Sequence, residues 1–153
     1  MAESFRSRLV RWGFNWFPPF RRTGGRLVYI ADDWREVRVR LPLNWTTRNY
    51  VGTMFGGSLY AATDGQHMVM LIKLLGPDYI VWDKVASIRY RKPCRTTVYA
   101  TFVIDAGETD TIRALLATEP KVERRYQVDW TDRDGTVYAT VETTIHIRRK
   151  ESA

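Results

Sequence analysis

The stretch Gly57–Leu75 constrains this chain most. Leu59, Tyr60, Ala61, Ala62, Met68, Val69, Met70, Leu71, Ile72, Leu74 and Leu75 fall on nearly every face of a helix drawn through it. A helix that is apolar all round is normally buried all round. Its about 19 residues would span roughly 28 Å, and Gly76-Pro77 stops it. Asp64, Gln66, His67 and Lys73 argue against lipid as the surroundings, so protein must wrap this rod.

The wrapping is predicted to be β. Residues 26–31 read as a strand. In 36–43, Val37, Val39, Leu41 and Leu43 alternate with Glu36, Arg38 and Arg40. Strands follow at 80–90, 98–104, 121–130 and 136–148, with a short helix at 109–117 and a hairpin turn at Asp132-Arg133-Asp134-Gly135. Residues 5–17 suit an amphipathic helix ended by Pro18-Pro19, and Gly24-Gly25 turns the chain. The expected class is α+β: one long central helix wrapped by a curved antiparallel sheet of about five to six strands, with an N-terminal helix. With 153 residues, 44% of them hydrophobic, a single domain 1–153 is expected, divided into an N-terminal helix and Pro-Pro turn (1–24) and a core (25–148). One sheet cannot cover such a helix alone, so the N-terminal helix or a partner subunit must cover the rest and a homo-oligomer, a homodimer or dimer of dimers, is expected.

The formal charge of +7 points to acidic partners, and Arg6, Arg8, Arg11, Arg21, Arg22 and Arg26 face only Glu3 in the first 26 residues. A lone Cys94 excludes a disulfide scaffold and a cysteine-rich metal site. No metal-ligand spacing and no nucleic-acid motif is present. No run is long enough to span a membrane and no leader is evident, so a cytoplasmic protein is expected. The arginine-rich N-terminus leaves three readings open: weak contact with a membrane surface, contact with the phosphates of a small molecule, or plain packing, which is favoured.

Asp64 is the chemical outlier. A carboxylate in an apolar helix needs a partner or a cleft, because leaving it buried and unpaired costs several kcal/mol. Two helical turns separate it from Gly57, which would put both on one face. The opening turn Gly52-Thr53-Met54-Phe55-Gly56-Gly57-Ser58 offers close backbone approach and free N–H groups that favour a developing oxyanion. Such a pair suffices to hydrolyse an activated acyl group.

The pattern Asn49-x-x-Gly52-x-x-Phe55-Gly56-Gly57-x-Leu59, followed by Asp64, resembles the signature of the hotdog-fold acyl-CoA thioesterases. Pro18-Pro19-Phe20, the Tyr79–Lys84 stretch and Ile145-His146-Ile147-Arg148 bring it nearest to an uncharacterised thioesterase-like branch of that superfamily. The resemblance implies hydrolysis of an acyl-CoA or acyl-carrier thioester, with no cofactor beyond the coenzyme A of the substrate. It implies Asp64 as the catalytic carboxylate, Gly56 as the amide that polarises the thioester carbonyl, and Asn49 as the residue shaping the loop. Met54, Phe55 and Gly57 would contact substrate, with Phe55 standing where the family often has histidine. Asp83, Lys84 and Ser87 are candidates for the polar strand residue that a partner subunit contributes in related enzymes. The Phe55 departure keeps a second reading open, a non-catalytic acyl-CoA binder on the same scaffold.

The plainer readings are also specific. Asp64 could be a buried carboxylate satisfied by Lys84, Arg89 or a hydroxyl, Asp83 could pair locally with Lys84, His67 could be a core histidine, His146 a solvated one, and Cys94 structural.

Overall fold

The computed structural model describes residues 3–151; the outermost two residues at each end of the expected domain lie outside the described residues. Helix α1 (Phe5–Trp16) begins at Ser4, whose hydroxyl accepts the Ser7 N–H. Pro18 and Pro19 end it by opening a second helix, α2 (Pro18–Arg22), where proline at the first positions forfeits no helical hydrogen bond. Strands β1 (Arg26–Ile30) and β2 (Glu36–Leu41) follow, then α3 (Gly56–Ala61), α4 (Gln66–Leu75), β3 (Tyr79–Tyr90), β4 (Val98–Val103), α5 (Glu108–Thr118), β5 (Val122–Thr131) and β6 (Val137–Arg149).

The expected class holds. All six strands form one antiparallel sheet in the order β1-β2-β4-β5-β6-β3. Period-two alternation turns Val37, Val39 and Leu41 inward beside Val98, Ala100 and Phe102, and every one of them is buried. Trp130, Val141, Ile145 and Ile147 continue this face toward α3 and α4. His146 corrects the solvated expectation. It is buried on the reverse face of β6, stacked on Trp82 at 4.2 Å.

The central rod expected over Gly57–Leu75 starts at Gly56 and ends at Leu75, but in two pieces. Leu59's carbonyl accepts from both the Thr63 hydroxyl (3.0 Å) and the Trp130 indole N–H (3.0 Å). The Thr63 N–H turns instead to Tyr60, one residue nearer than a helix would have it. Gly65 then adopts a left-handed conformation (φ 74°) that a side chain would resist, and α4 starts after it at Gln66. Asp64 therefore sits in a turn rather than on a helix face, and its expected alignment with Gly57 is lost.

The two sheet edges differ. Asn15 of α1 donates to the Leu27 carbonyl (3.0 Å) and accepts its N–H (2.8 Å), while Glu3 accepts from the Ile30 N–H. The edge of β1 is thus closed by side chains. Strand β3, twelve residues long, forms the opposite edge. It carries a bulge between Asp83 and Val85, where Lys84 is the extra residue.

Candidate active site

The loop before α3 is built around Asn49. Its side-chain oxygen accepts the N–H groups of Val51 and Thr53, and its amide nitrogen donates to the Thr53 hydroxyl at 2.8 Å and the Met54 carbonyl. Gly52 supplies the positive φ (81°) that closes the turn, its N–H donating to the Asn49 carbonyl. Buried Met54 donates its N–H to Cys94, and Phe55 donates to Thr47, so the loop is clamped at both sides.

The clamp presents Asn49, Met54, Phe55, Gly56 and Gly57 to one groove of about 640 Å³. Phe55 has no side chain able to cap α3, and among the described residues the Gly56 and Gly57 amides have no acceptor. These are two free donors at the head of a six-residue helix. The facing wall is Tyr90-Arg91-Lys92-Pro93-Cys94-Arg95. A methyl carbon on Gly56 would stand 2.7 Å from the Tyr90 hydroxyl, so the ring and the helix start touch only because residue 56 has no side chain. The sequence reading left this basic wall out of the site, although the Lys92-Pro93-Cys94-Arg95 run was visible as a charged turn. Arg91 is held by the Thr140 hydroxyl at 3.2 Å. Cys94 is buried in that turn, its thiol donating to the Thr96 carbonyl.

Asp64 opens elsewhere. It lines a second cavity of about 300 Å³ with Phe14, Phe17, Phe20, Ala61, Met68 and Val69, between the N-terminal helices and the broken rod. It is exposed, and among the described residues no cation pairs with it. Lys84 forms its ion pair with Glu123 on the outer face, so neither the Asp64–Lys84 nor the Asp83–Lys84 pairing is made. Ser87 is exposed on β3. The residue brought close to Asp64 is Asp83. It occupies the position opposite Ile145, one of its carboxylate oxygens is buried with no hydrogen-bond partner, and its acidity is weakened first by desolvation and then by the charge of Asp64. The Gly65 amide pulls the other way. Asp83 on β3 therefore approaches the break in the rod, where burial and the Asp64 charge raise its pKa above the ordinary carboxylate value.

His67 is a core histidine. It stacks on Tyr126 at 4.8 Å and meets Phe102 edge-on, and burial lowers its pKa to about 4. Among the described residues no three His, Cys, Asp or Glu side chains gather where they could hold a metal ion. One subunit thus keeps the amide donors and the Asp64 carboxylate in two different cavities.

Solved structures share this architecture. A Pseudomonas aeruginosa protein of unknown function, described as a probable thioesterase, superposes with a TM-score of 0.81 at 20% identity, over 94% of this chain and 95% of its own. A thioesterase from Haemophilus influenzae gives 0.70 at 13% identity, over 96% and 93%. Thioesterase superfamily member 2 from Mus musculus gives 0.65 at 18% identity, over 94% and 98%. At these identities the likeness establishes the fold, which is the hotdog architecture. No curated protein matches the chain. The family model described as "Domain of unknown function (DUF4442)" matches residues 6–147, nearly the whole sequence, and the chain belongs to that family.

Proposed function

We propose that this protein hydrolyses the thioester of an acyl-CoA or a related acyl carrier, at an interface between subunits. The observation that carries the reading is Asp64: a carboxylate open to an apolar cavity, with another carboxyl group near it and, among the described residues, no cation paired with it. Such a group is available as a base or nucleophile instead of being spent in an ion pair. The resemblance of Asn49 to Asp64 and the structural likeness to thioesterases point to the same chemistry.

In this reading the thioester oxygen faces the Gly56 and Gly57 amides, and the acyl chain lies against Met54 and Phe55. The phosphates of coenzyme A meet Lys92 and Arg95 at the rim of the groove. Asp64, as general base, takes a proton from water while the oxygen adds to the carbonyl carbon. The tetrahedral oxyanion collapses with cleavage of the C–S bond, and the leaving thiolate recovers the proton. Free acid and thiol result. Alternatively Asp64 attacks directly, and water hydrolyses the resulting anhydride. Amides and carboxylate lie in separate cavities of one chain, so they act together when one subunit's groove faces its partner's Asp64. The uncovered twelve-residue edge of β3 supplies a pairing surface, because an open edge strand favours pairing with another chain. Ser87 and Lys84 lie on that strand and would approach the partner's groove.

Phe55 favours the alternative of a non-catalytic acyl-CoA binder. A methyl carbon on Gly57 would collide with the Phe55 ring, so an apolar ring packs against the residue that carries one of the two donors. A panel of acyl-CoA thioesters with free-thiol detection separates the readings. Catalytic thiol release supports the hydrolase, while tight binding with no thiol above the uncatalysed rate supports the binder and overturns the proposal.

A further inference from the structure

Helix α1 carries its largest apolar side chains on the side away from the protein. Its inner face is committed: the Ser7 hydroxyl donates to Asp32 at 2.7 Å, Asn15 closes the β1 edge, and Phe14 packs on the core. The outer face bears Phe5, Leu9, Trp12 and Trp16, spaced i, i+4, i+7 and i+11, which places them in one stripe along the helix. They are 74%, 55%, 64% and 54% exposed. At about 100° per residue, Arg6 and Arg8 fall on opposite flanks of that stripe. The Arg21 guanidinium lies over Trp16 at 4.2 Å, adding charge at the far end, where Phe17 is also exposed. Glu3, the first acid before Asp32, is taken by Arg11 in a two-pronged ion pair.

We propose that this face docks on an anionic lipid surface, with Phe5, Leu9, Trp12 and Trp16 entering the interface and Arg6, Arg8, Arg21 and Arg22 meeting headgroup phosphates. An apolar stripe with tryptophans, flanked by arginines, suits the boundary between acyl chains and headgroups. Charge decides against a second copy of the chain as occupant. A two-fold contact through this face sets the same patch against itself, bringing arginines against arginines with no acid between them. No helix among the described residues is long and apolar enough to cross a membrane, so the contact is peripheral. The cavity containing Asp64 is walled by Phe14 and Phe17 of the same segment, on the side of α1 that faces the protein.

Co-sedimentation with vesicles of phosphatidylcholine alone, and of phosphatidylcholine mixed with phosphatidylglycerol, tests this. Each arginine near an anionic surface strengthens binding about fivefold, so the mixed vesicles should bind the protein at least about tenfold more tightly. Raised salt should weaken that binding. The exposed double variant Leu9→Gln/Trp12→Gln should lose at least about tenfold in affinity with an unchanged circular dichroism spectrum. Arg6→Gln/Arg8→Gln should lose most of the preference for the anionic vesicles. Equal binding to both vesicles, no binding, or full binding by Leu9→Gln/Trp12→Gln would overturn the proposal. So would a dimer dissociated by that variant without vesicle affinity, which assigns the face to a second copy, or tighter binding to duplex DNA than to vesicles.

Discussion

Gly56→Ala probes the groove at its narrowest point. The added carbon would stand 2.7 Å from the Tyr90 hydroxyl oxygen, 2.8 Å from Cζ and 3.0 Å from Cε1. Ordinary packing begins near 3.4 Å, so the ring must retreat by roughly 0.7 Å, the difference between the two distances. Tyr90 can do so because it is exposed at the end of β3, and an off-rotamer ring costs about 0.5–1.5 kcal/mol. Alanine in a helix offsets this by up to about 1 kcal/mol over glycine. Net stability should therefore change by less than about 1 kcal/mol, a shift in Tm within about 4 °C. Activity should respond differently, because a methyl group beside the two free amides keeps the thioester oxygen from their donating distance. Loss of one such donor costs about 100- to 1,000-fold in kcat. Thermal unfolding paired with thiol release from a cognate acyl-CoA checks both halves. Near-normal turnover by Gly56→Ala would refute the oxyanion role, and a Tm drop beyond about 10 °C would refute the claim that Tyr90 yields.

His67 should make stability acid-sensitive: its folded pKa lies below the unfolded value of 6.5, so the unfolded state binds the extra proton, and stability present above pH 6.5 is lost as pH falls toward about 4. The loss by pH 4.5 should be about 2–3 kcal/mol, and denaturant titrations of His67→Phe should show a correspondingly smaller drop over that range. Trp130→Phe removes the indole donor to Leu59 and Thr63 and should lower stability by about 1–3 kcal/mol by chemical denaturation. The double variant Lys92→Gln/Arg95→Gln should raise KM for acyl-CoA severalfold while leaving KM for the matching acyl-pantetheine, which lacks the nucleotide phosphates, unchanged.

Much of the architecture was legible because period-two alternation is a strong signal. Val37, Val39 and Leu41 read as one buried face and are one. The hydrophobic run after Gly57 correctly marked the central rod, but it concealed the break. Asp64-Gly65 is a turn dipeptide, and eleven surrounding apolar residues outweighed it. The partner that fixes the break, Trp130, is 67 residues from Thr63, a pairing that no local pattern records. The candidate site divides similarly. Asn49 to Gly57 came as one contiguous motif and line one groove, whereas the wall they face comes from the turn after β3. Asp83 was visible as a polar strand residue, but its approach to Asp64 depends on the register of β3 and the bulge beside it. His146 was misjudged because Trp82, not the core, covers it on the sheet's reverse face.

The most direct measurement is kcat/KM for Asp64→Asn against the wild type on the best acyl-CoA of the panel. Asp64 is exposed and without a cationic partner among the described residues, so the amide should leave Tm essentially unchanged. Losing the base or nucleophile should lower turnover by at least about 100-fold. A folded Asp64→Asn protein that releases thiol at the wild-type rate would contradict the account at its centre.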